Sequence, residues 1–286
     1  MELVNDFLSS VLPYTEWVML FLVVGGGLFL AVYSKLLPFR YFKHALDITR
    51  GKYDHKDDPG EVSHLQALSS AVAATVGMGN IAGVAIAIYL GGPGVVFWIW
   101  ITALIGMGIK FYSCSLAVMF RGTDSLGALQ GGPMYYMIQG MGKKAKPMAI
   151  FFSIAGLFGV LPAFTANQFT QTLIDVVRPQ VNIYEMSVFH WKVLIGIVLT
   201  IATSFVVFGG LKKIAKVATA IVPFMVVVYL LAVVFIMFQN AGEIFPAFKL
   251  IFSEAFNMET AVKGGFWGLV IIGIRRAVFS NEAGVG

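Results

Sequence analysis

Residues 74–85 read ATVGMGNIAGVA and place two glycines and an asparagine in the middle of an apolar run from about Leu65 to Leu90. A segment of ~20 apolar residues crosses the hydrocarbon core as a continuous helix, because every backbone polar group must be satisfied within the segment. Gly77 and Gly79 each weaken that helix by ~1 kcal/mol relative to alanine, at the depth where an unsatisfied amide costs most. The sequence therefore predicts a broken helix with a ligand site at the break. Freed N–H groups at a half-helix N-terminus suit a carboxylate, and freed carbonyls suit a small hard cation. The alternative is a small-residue face for close helix packing.

The composition agrees with a membrane environment. Of 286 residues, 58% are hydrophobic and only 12% charged, and the mean hydropathy of +0.82 excludes a soluble globular domain. Apolar stretches near 17–34, 65–90, 93–119, 148–173, 192–209, 215–238 and 260–274 predict seven helices, the last incomplete. The fold class expected is an all-α polytopic membrane protein.

The net charge of +5 is explained by topology, without nucleic acid as a partner. If the N-terminus is outside, thirteen Lys and Arg residues fall in the cytoplasmic loops at 35–56, 121–146 and 212–216, against Arg178, Lys192 and Lys249 in outer segments. The positive-inside rule then orients the chain N-terminus out, in the inner (plasma) membrane. Glu2 and Asp6 precede the first span where a signal peptide would be basic, so this span is read as retained.

Cys114, the single cysteine, lies in the third span and is read as a packing residue. His44, His55, His64 and His190 have no ligand spacing, and neither a Walker A loop nor H-E-x-x-H occurs. The polar stretch Pro38–Glu61, with DHKDDPG at 54–60 as its turn, reads as a cytoplasmic connector. GGPG at 91–94 reads as a tight turn between spans. GTDSLGALQGGPMYYMIQGMG at 122–142 is too polar to span and too apolar for a free linker. It is expected to be a re-entrant loop or short helix against the bundle.

A second break occurs in GIRRAVFSNEAGVG at 273–286, where Arg275, Arg276, Ser280, Asn281, Glu282, Gly284 and Gly286 follow an apolar run. Each charge at membrane depth costs at least ~2.5–3.5 kcal/mol, so these groups must face protein or water. A structural ion pair between Glu282 and one of the arginines is the plain alternative to a functional role. With the span at 65–90 counted first, five spans precede the second break. Inverted-repeat transporters have this spacing: the first helix of each five-helix half is discontinuous and ligands sit between the two.

Three segments carry a family resemblance: GGPGVVFWIWITALIG at 91–106, GGPMYYM at 131–137 and FSNEAGVG at 279–286. In this order they resemble the alanine or glycine:cation symporters of the amino acid–polyamine–organocation superfamily, from about residue 60 to the end. The resemblance implies one extra N-terminal helix with its cytoplasmic loop (1–61), a first five-helix repeat (62–240) and the start of a second (241–286), in a single transporter domain. Because the implied fold has five helices in each half, the chain reads as a fragment that stops inside the sixth. The activity implied is import of alanine or glycine coupled to sodium. Proton coupling and a cation channel are the alternatives for function, and a membrane-embedded enzyme is disfavoured because Glu282 is the one clear intramembrane acid.

The break ATVGMGN is also similar to the first broken helix of the neurotransmitter:sodium symporters. That similarity implies that Gly77, Met78 and Gly79 form the substrate site, with the Met78 and Gly79 N–H groups facing the carboxylate. It places the Asn80 side chain and the Thr75 carbonyl at one sodium ion, and the Ala73 and Val76 carbonyls at a second. On the same footing Phe279 covers the substrate, Ser280 lies near the first cation, and Asn281 and Glu282 surround the amino group. Met78 departs from the threonine frequent in the family. In the third core helix LPAFTANQFTQT stands in place of a GNM-like stretch. Thr165, Asn167 and Gln168 there are candidate substrate contacts, with helix-to-helix hydrogen bonding as the alternative.

Overall fold

The computed structural model describes the chain except residues 1, 55–61, 124, 126, 128, 160–162, 181–186, 258–264 and 284–286. Of residues 2–5, 7, 8, 78, 79, 164 and 180 it describes the backbone alone. The turn DHKDDPG beyond Asp54, the glycines Gly284 and Gly286, and the Met78 side chain therefore lie outside what is described.

The chain is helical almost throughout. Helices α1 (Glu2–Leu20), α2 (Gly26–Tyr33), α3 (Leu37–Arg40) and α4 (Phe42–Thr49) lead into α5 (His64–Thr75) and α6 (Met78–Gly91). A π-helical turn, Phe21–Gly25, joins α1 to α2. Next come α7 (Val95–Met119), a minimal hairpin of β1 (Gly122–Thr123) and β2 (Leu129–Gln130), and α8 (Pro133–Met141). The rest comprises α9 (Lys146–Gly159), α10 (Ala163–Val176), α11 (Val188–Val207), α12 (Gly210–Gln239), α13 (Ala241–Glu254) and α14 (Gly265–Asn281).

Among the described residues, five segments are long and apolar enough to cross a membrane: Ser9–Tyr33, His64–Gly91, Val95–Met119, Val188–Val207 and Gly210–Gln239. Large apolar side chains such as Phe29, Phe151, Phe205, Phe224 and Phe235 lie on the surface, the distribution suited to a lipid solvent. Two of the seven expected spans differ from expectation. The stretch 148–173 divides into α9 and α10, with Pro162 in the sequence between them. The last span is the 17-residue helix α14. Helix α13 was not anticipated at all. Segment 122–142 combines the anticipated short helix, α8, with a hairpin in which Gly122 pairs with Gln130 and Thr123 with Leu129. Cys114 is free and exposed on α7, so it is not the packing residue expected of it.

The helices group into two compact units. The first comprises residues 1–43, 82–156 and 237–286, the second 44–81 and 157–236. In the first, α14 packs along α7, and Val95, Ala87 and Leu269 form a buried cluster edged by Trp98, Ile99 and Ile272. Small residues let these helices approach: a Cβ on Gly273 would sit 2.6 Å from the Trp98 Cβ. Helix α2 also lies on α7, where Gly27 and Gly108 face each other, and a Cβ on Gly108 would lie 3.8 Å from the Gly27 carbonyl oxygen. Helix α1 meets α14 through Trp17 and Trp267, with ring centroids 6.1 Å apart.

The expected GGPG turn is present and its glycines have separate reasons. Gly92 has φ +81°, a conformation glycine adopts without strain. Gly94 faces the end of α13, where a Cβ would lie 2.5 Å from the Glu254 carbonyl carbon and oxygen. The aromatic run that follows completes this joint. Trp98 Nε1 donates to the Ala255 carbonyl at 2.9 Å, and Phe97 meets Phe252 and Phe256 edge to face.

In the second unit, α10 and α11 pack through Ile174, Trp191 and Ile195. Helix α5 starts on a capping box: Ser63 Oγ accepts from Gln66 N at 3.3 Å and Gln66 Oε1 accepts from Ser63 N at 3.0 Å.

Candidate functional site

The apolar run 65–90 is two helices, as its glycines predict. Helix α5 ends at Thr75, Val76 leaves the helical region with φ −88° and ψ 81°, and α6 begins at Met78. The backbone hydrogen bonds are rerouted at this point. Gly77 N donates to the Thr75 carbonyl at 3.2 Å, and Asn80 N donates to the Gly77 carbonyl at 2.9 Å. In an unbroken helix these two donors would reach the carbonyls four residues back, those of Ala73 and Val76. The break therefore withdraws the usual donors from the two carbonyls associated above with a second cation.

The Thr75 hydroxyl donates back to the Ala71 and Val72 carbonyls at 3.1 and 3.3 Å. It closes the last turn of α5, while Asn80 is half-buried in the first turn of α6. Gly77 has no atom within 4 Å of an added Cβ. Packing does not demand glycine there, whereas at Gly83, one turn beyond Asn80, an added Cβ would overlap the Arg276 guanidinium. The small-residue alternative thus accounts for Gly83 and leaves Gly77 to the break.

The second polar cluster closes α14. Asn281 is its last residue, and Glu282 follows in the left-handed region with φ 53°, a conformation that favours glycine. The Asn281 Oδ1 accepts from Ala283 N at 3.1 Å, and Ala283 is buried, which together hold the turn. Asn281 Nδ2 points at α7, 2.8 Å from where a Cβ on Gly106 would stand. That nitrogen is buried without a hydrogen-bond partner among the described residues. Phe279 is largely exposed and Ser280 half-buried.

Arg275 pairs with Glu16 of α1, with Nη1 2.7 Å from Oε1. This replaces the structural pairing to Glu282 raised as the plain alternative. Glu16 was missed in the sequence because a single acid in an N-terminal span carries no motif. Gly83 and Gly106, on which the polar residues of α14 rest, were likewise missed, since each lies among other glycines of α6 and α7 with nothing local to set it apart.

Thr165 and Asn167 are exposed and Gln168 half-buried on α10. The Gln168 carbonyl accepts the Thr172 hydroxyl at 2.9 Å. The structure thus gathers Ala73, Thr75, Val76, Gly77, Met78, Gly79 and Asn80 at one break, with Thr165, Asn167 and Gln168 of α10 in the same unit. Phe279, Ser280, Asn281 and Glu282 gather at one helix end in the other unit.

Residues 1–286 match the sodium:alanine symporter family over their whole length. The chain belongs to this family. Among similar proteins, the sodium/alanine symporter AgcS of Methanococcus maripaludis is 38% identical over 98% of this chain and 62% of its own length. The amino-acid carrier protein AlsT of Bacillus subtilis is 35% identical over 99% of this chain and 56% of its own. The chain thus spans little more than half the length of these curated relatives. The family is one of transporters, which agrees with a multi-pass helical membrane protein and leaves the broken helix, not a catalytic centre, as the site to explain.

Proposed function

We propose that the protein is a secondary symporter that imports a small amino acid, alanine or glycine, with sodium. The observation that carries this reading is the helix break at Val76–Gly77, where the Gly77 and Asn80 donors turn away from the Ala73 and Val76 carbonyls, in a chain of the sodium:alanine symporter family. Carbonyls relieved of their helical donors are oxygen ligands for a hard cation. In this reading the Ala73 and Val76 carbonyls hold one sodium ion, and the Thr75 carbonyl with Asn80 and Ser280 serves another. The Gly77–Gly79 backbone binds the substrate carboxylate at the start of α6, where the helix dipole favours an anion. Phe279 covers the substrate, Asn281 and Glu282 receive its amino group, and Thr165, Asn167 and Gln168 offer further contacts.

The same reading divides the chain into an N-terminal helix and loop (1–61), a first repeat (62–240) and the start of a second (241–286), with the N-terminus outside the inner membrane. Coupling follows from the shared site. The cations neutralise the carboxylate end and draw the half-helices together, so the loaded carrier reorients more readily than a half-loaded one. Each net charge moved through 100 mV supplies about 2.3 kcal/mol, roughly a 50-fold gradient.

Uptake of labelled alanine into proteoliposomes carrying the full-length protein tests the reading. Saturable uptake that requires an inward sodium gradient, and that glycine competes, is the expected result. Uptake driven equally well by a proton gradient without sodium would overturn sodium coupling, and non-saturable flux would point to a channel.

A further inference from the structure

Arg276 lies one turn before Phe279 on α14, with its guanidinium carbon 5.2 Å from the centre of the Phe279 ring. The guanidinium also rests on the backbone of α6 at Gly83, where an added Cβ would overlap the guanidinium carbon and both terminal nitrogens. Its Nε and Nη2 are buried and find no acceptor among the described residues. Stacking against a glycine and an aromatic ring therefore places this side chain.

We propose that Arg276 is a positioning residue, its guanidinium slotted between Gly83 and the Phe279 ring so that it orients Phe279 and thereby sets the affinity for the amino acid. The proposal rests on the reading of Phe279 as the residue over the substrate. Three features of the slot support it. A guanidinium is a flat, weakly hydrated cation that stacks on aromatic faces, and the Phe279 ring lies within the distance at which that attraction is felt. Gly83 sits within a helix, so close approach and not backbone conformation explains the glycine. Phe279 is 58% exposed, so burial alone does not select its rotamer and a stacked neighbour has leverage over it. The slot joins α6 at Gly83 to α14 within the first unit.

The test combines stability and uptake in the full-length protein. In detergent, Gly83→Ala is expected to lower the melting temperature when Arg276 is present and to have little effect in an Arg276→Ala background, because the clash requires the guanidinium. In proteoliposomes, Arg276→Lys, which keeps the charge and loses the plane, and Gly83→Ala are each expected to raise the alanine KM about tenfold with kcat near the parent value. Phe279→Ala should raise KM by itself and make the Arg276→Lys change silent. If Phe279→Ala raises KM while Arg276→Lys and Gly83→Ala leave it unchanged, the positioning role is wrong and the reading of Phe279 stands. If Phe279→Ala leaves KM unchanged, that reading falls and takes the positioning role with it. Additive melting shifts for Gly83→Ala and Arg276→Ala would also overturn the slot.

Discussion

Glu16 on α1 and Arg275 on α14 form an ion pair 2.7 Å long. It fastens α1 to the helix that carries the second polar cluster. Neither charge is deeply covered by protein, with side-chain exposures of 21% and 54% respectively. In water such a pair would contribute little, but at membrane depth each partner alone is costly. Glu16→Gln is therefore expected to destabilise the protein in lipid, and the double variant with Arg275→Gln to recover part of the loss. A double-mutant cycle on thermal unfolding in lipid nanodiscs should give a coupling of about 1 kcal/mol. Zero coupling would mean that lipid or water already solvates both groups.

Two glycines separate the break from the scaffold. At Gly77 an added Cβ meets nothing within 4 Å, and alanine favours helix by ~1 kcal/mol. Gly77→Ala should leave the melting temperature intact or raised while lowering alanine uptake. At Gly94 a Cβ would meet the Glu254 backbone at 2.5 Å. Gly94→Ala should cost about 1–3 kcal/mol through overpacking. Melting curves and initial uptake rates on the same preparations would expose a reversal of this pattern.

Asn80 stands in the first turn of α6, just past the rerouted carbonyls. Asn80→Ala is expected to abolish sodium-stimulated alanine uptake with membrane expression preserved, since an amide oxygen suits a hard cation. Uptake measured in sodium and in choline decides the matter. A retained ratio between the two would remove Asn80 from the cation site.

Outside the spans, Lys52 donates to Asp47 at 3.1 Å. That hydrogen bond, and then the charge of Asp47, raises the Lys52 pKa above 10.5. A raised lysine pKa means that the contact is fully present at neutral pH and is lost as pH climbs through the folded value. Carbon NMR of labelled lysine should show Lys52 titrating above its free value, and Asp47→Asn should bring it back toward 10.5.

The break at 76–77, the turn at 91–94 and the end of α14 at Asn281 were legible in the sequence because glycine, proline and polar residues interrupt apolar runs there, and helix physics penalises each interruption. What escaped was long-range. Nothing local says that Gly94 is glycine because the end of α13 abuts it, or that Arg275 looks to Glu16. Helix α13 itself was hidden because its apolar residues, among them Phe248 and Phe252, alternate with Glu243, Lys249 and Glu254. That pattern is too polar for a span, whereas the Trp100 ring, against Phe248 and Phe252, supplies the partner that makes it a packed helix. Hydropathy also joined α9 to α10, since a proline within an apolar stretch scarcely lowers its average.

The π-helical turn Phe21–Gly25 has a mechanical meaning. A π-turn accommodates one residue more than the α-helix would, and each residue advances the helix by about 100°. The segment therefore acts as a twist inserted between two docking faces. On one side of it Glu16 and Trp17 engage α14, and on the other Gly27 engages α7. Deleting one residue from 21–25 would straighten the turn into regular helix and rotate one face out of phase with its partner. A single rod can thus be keyed to two neighbours at once because it carries a dislocation between the keys.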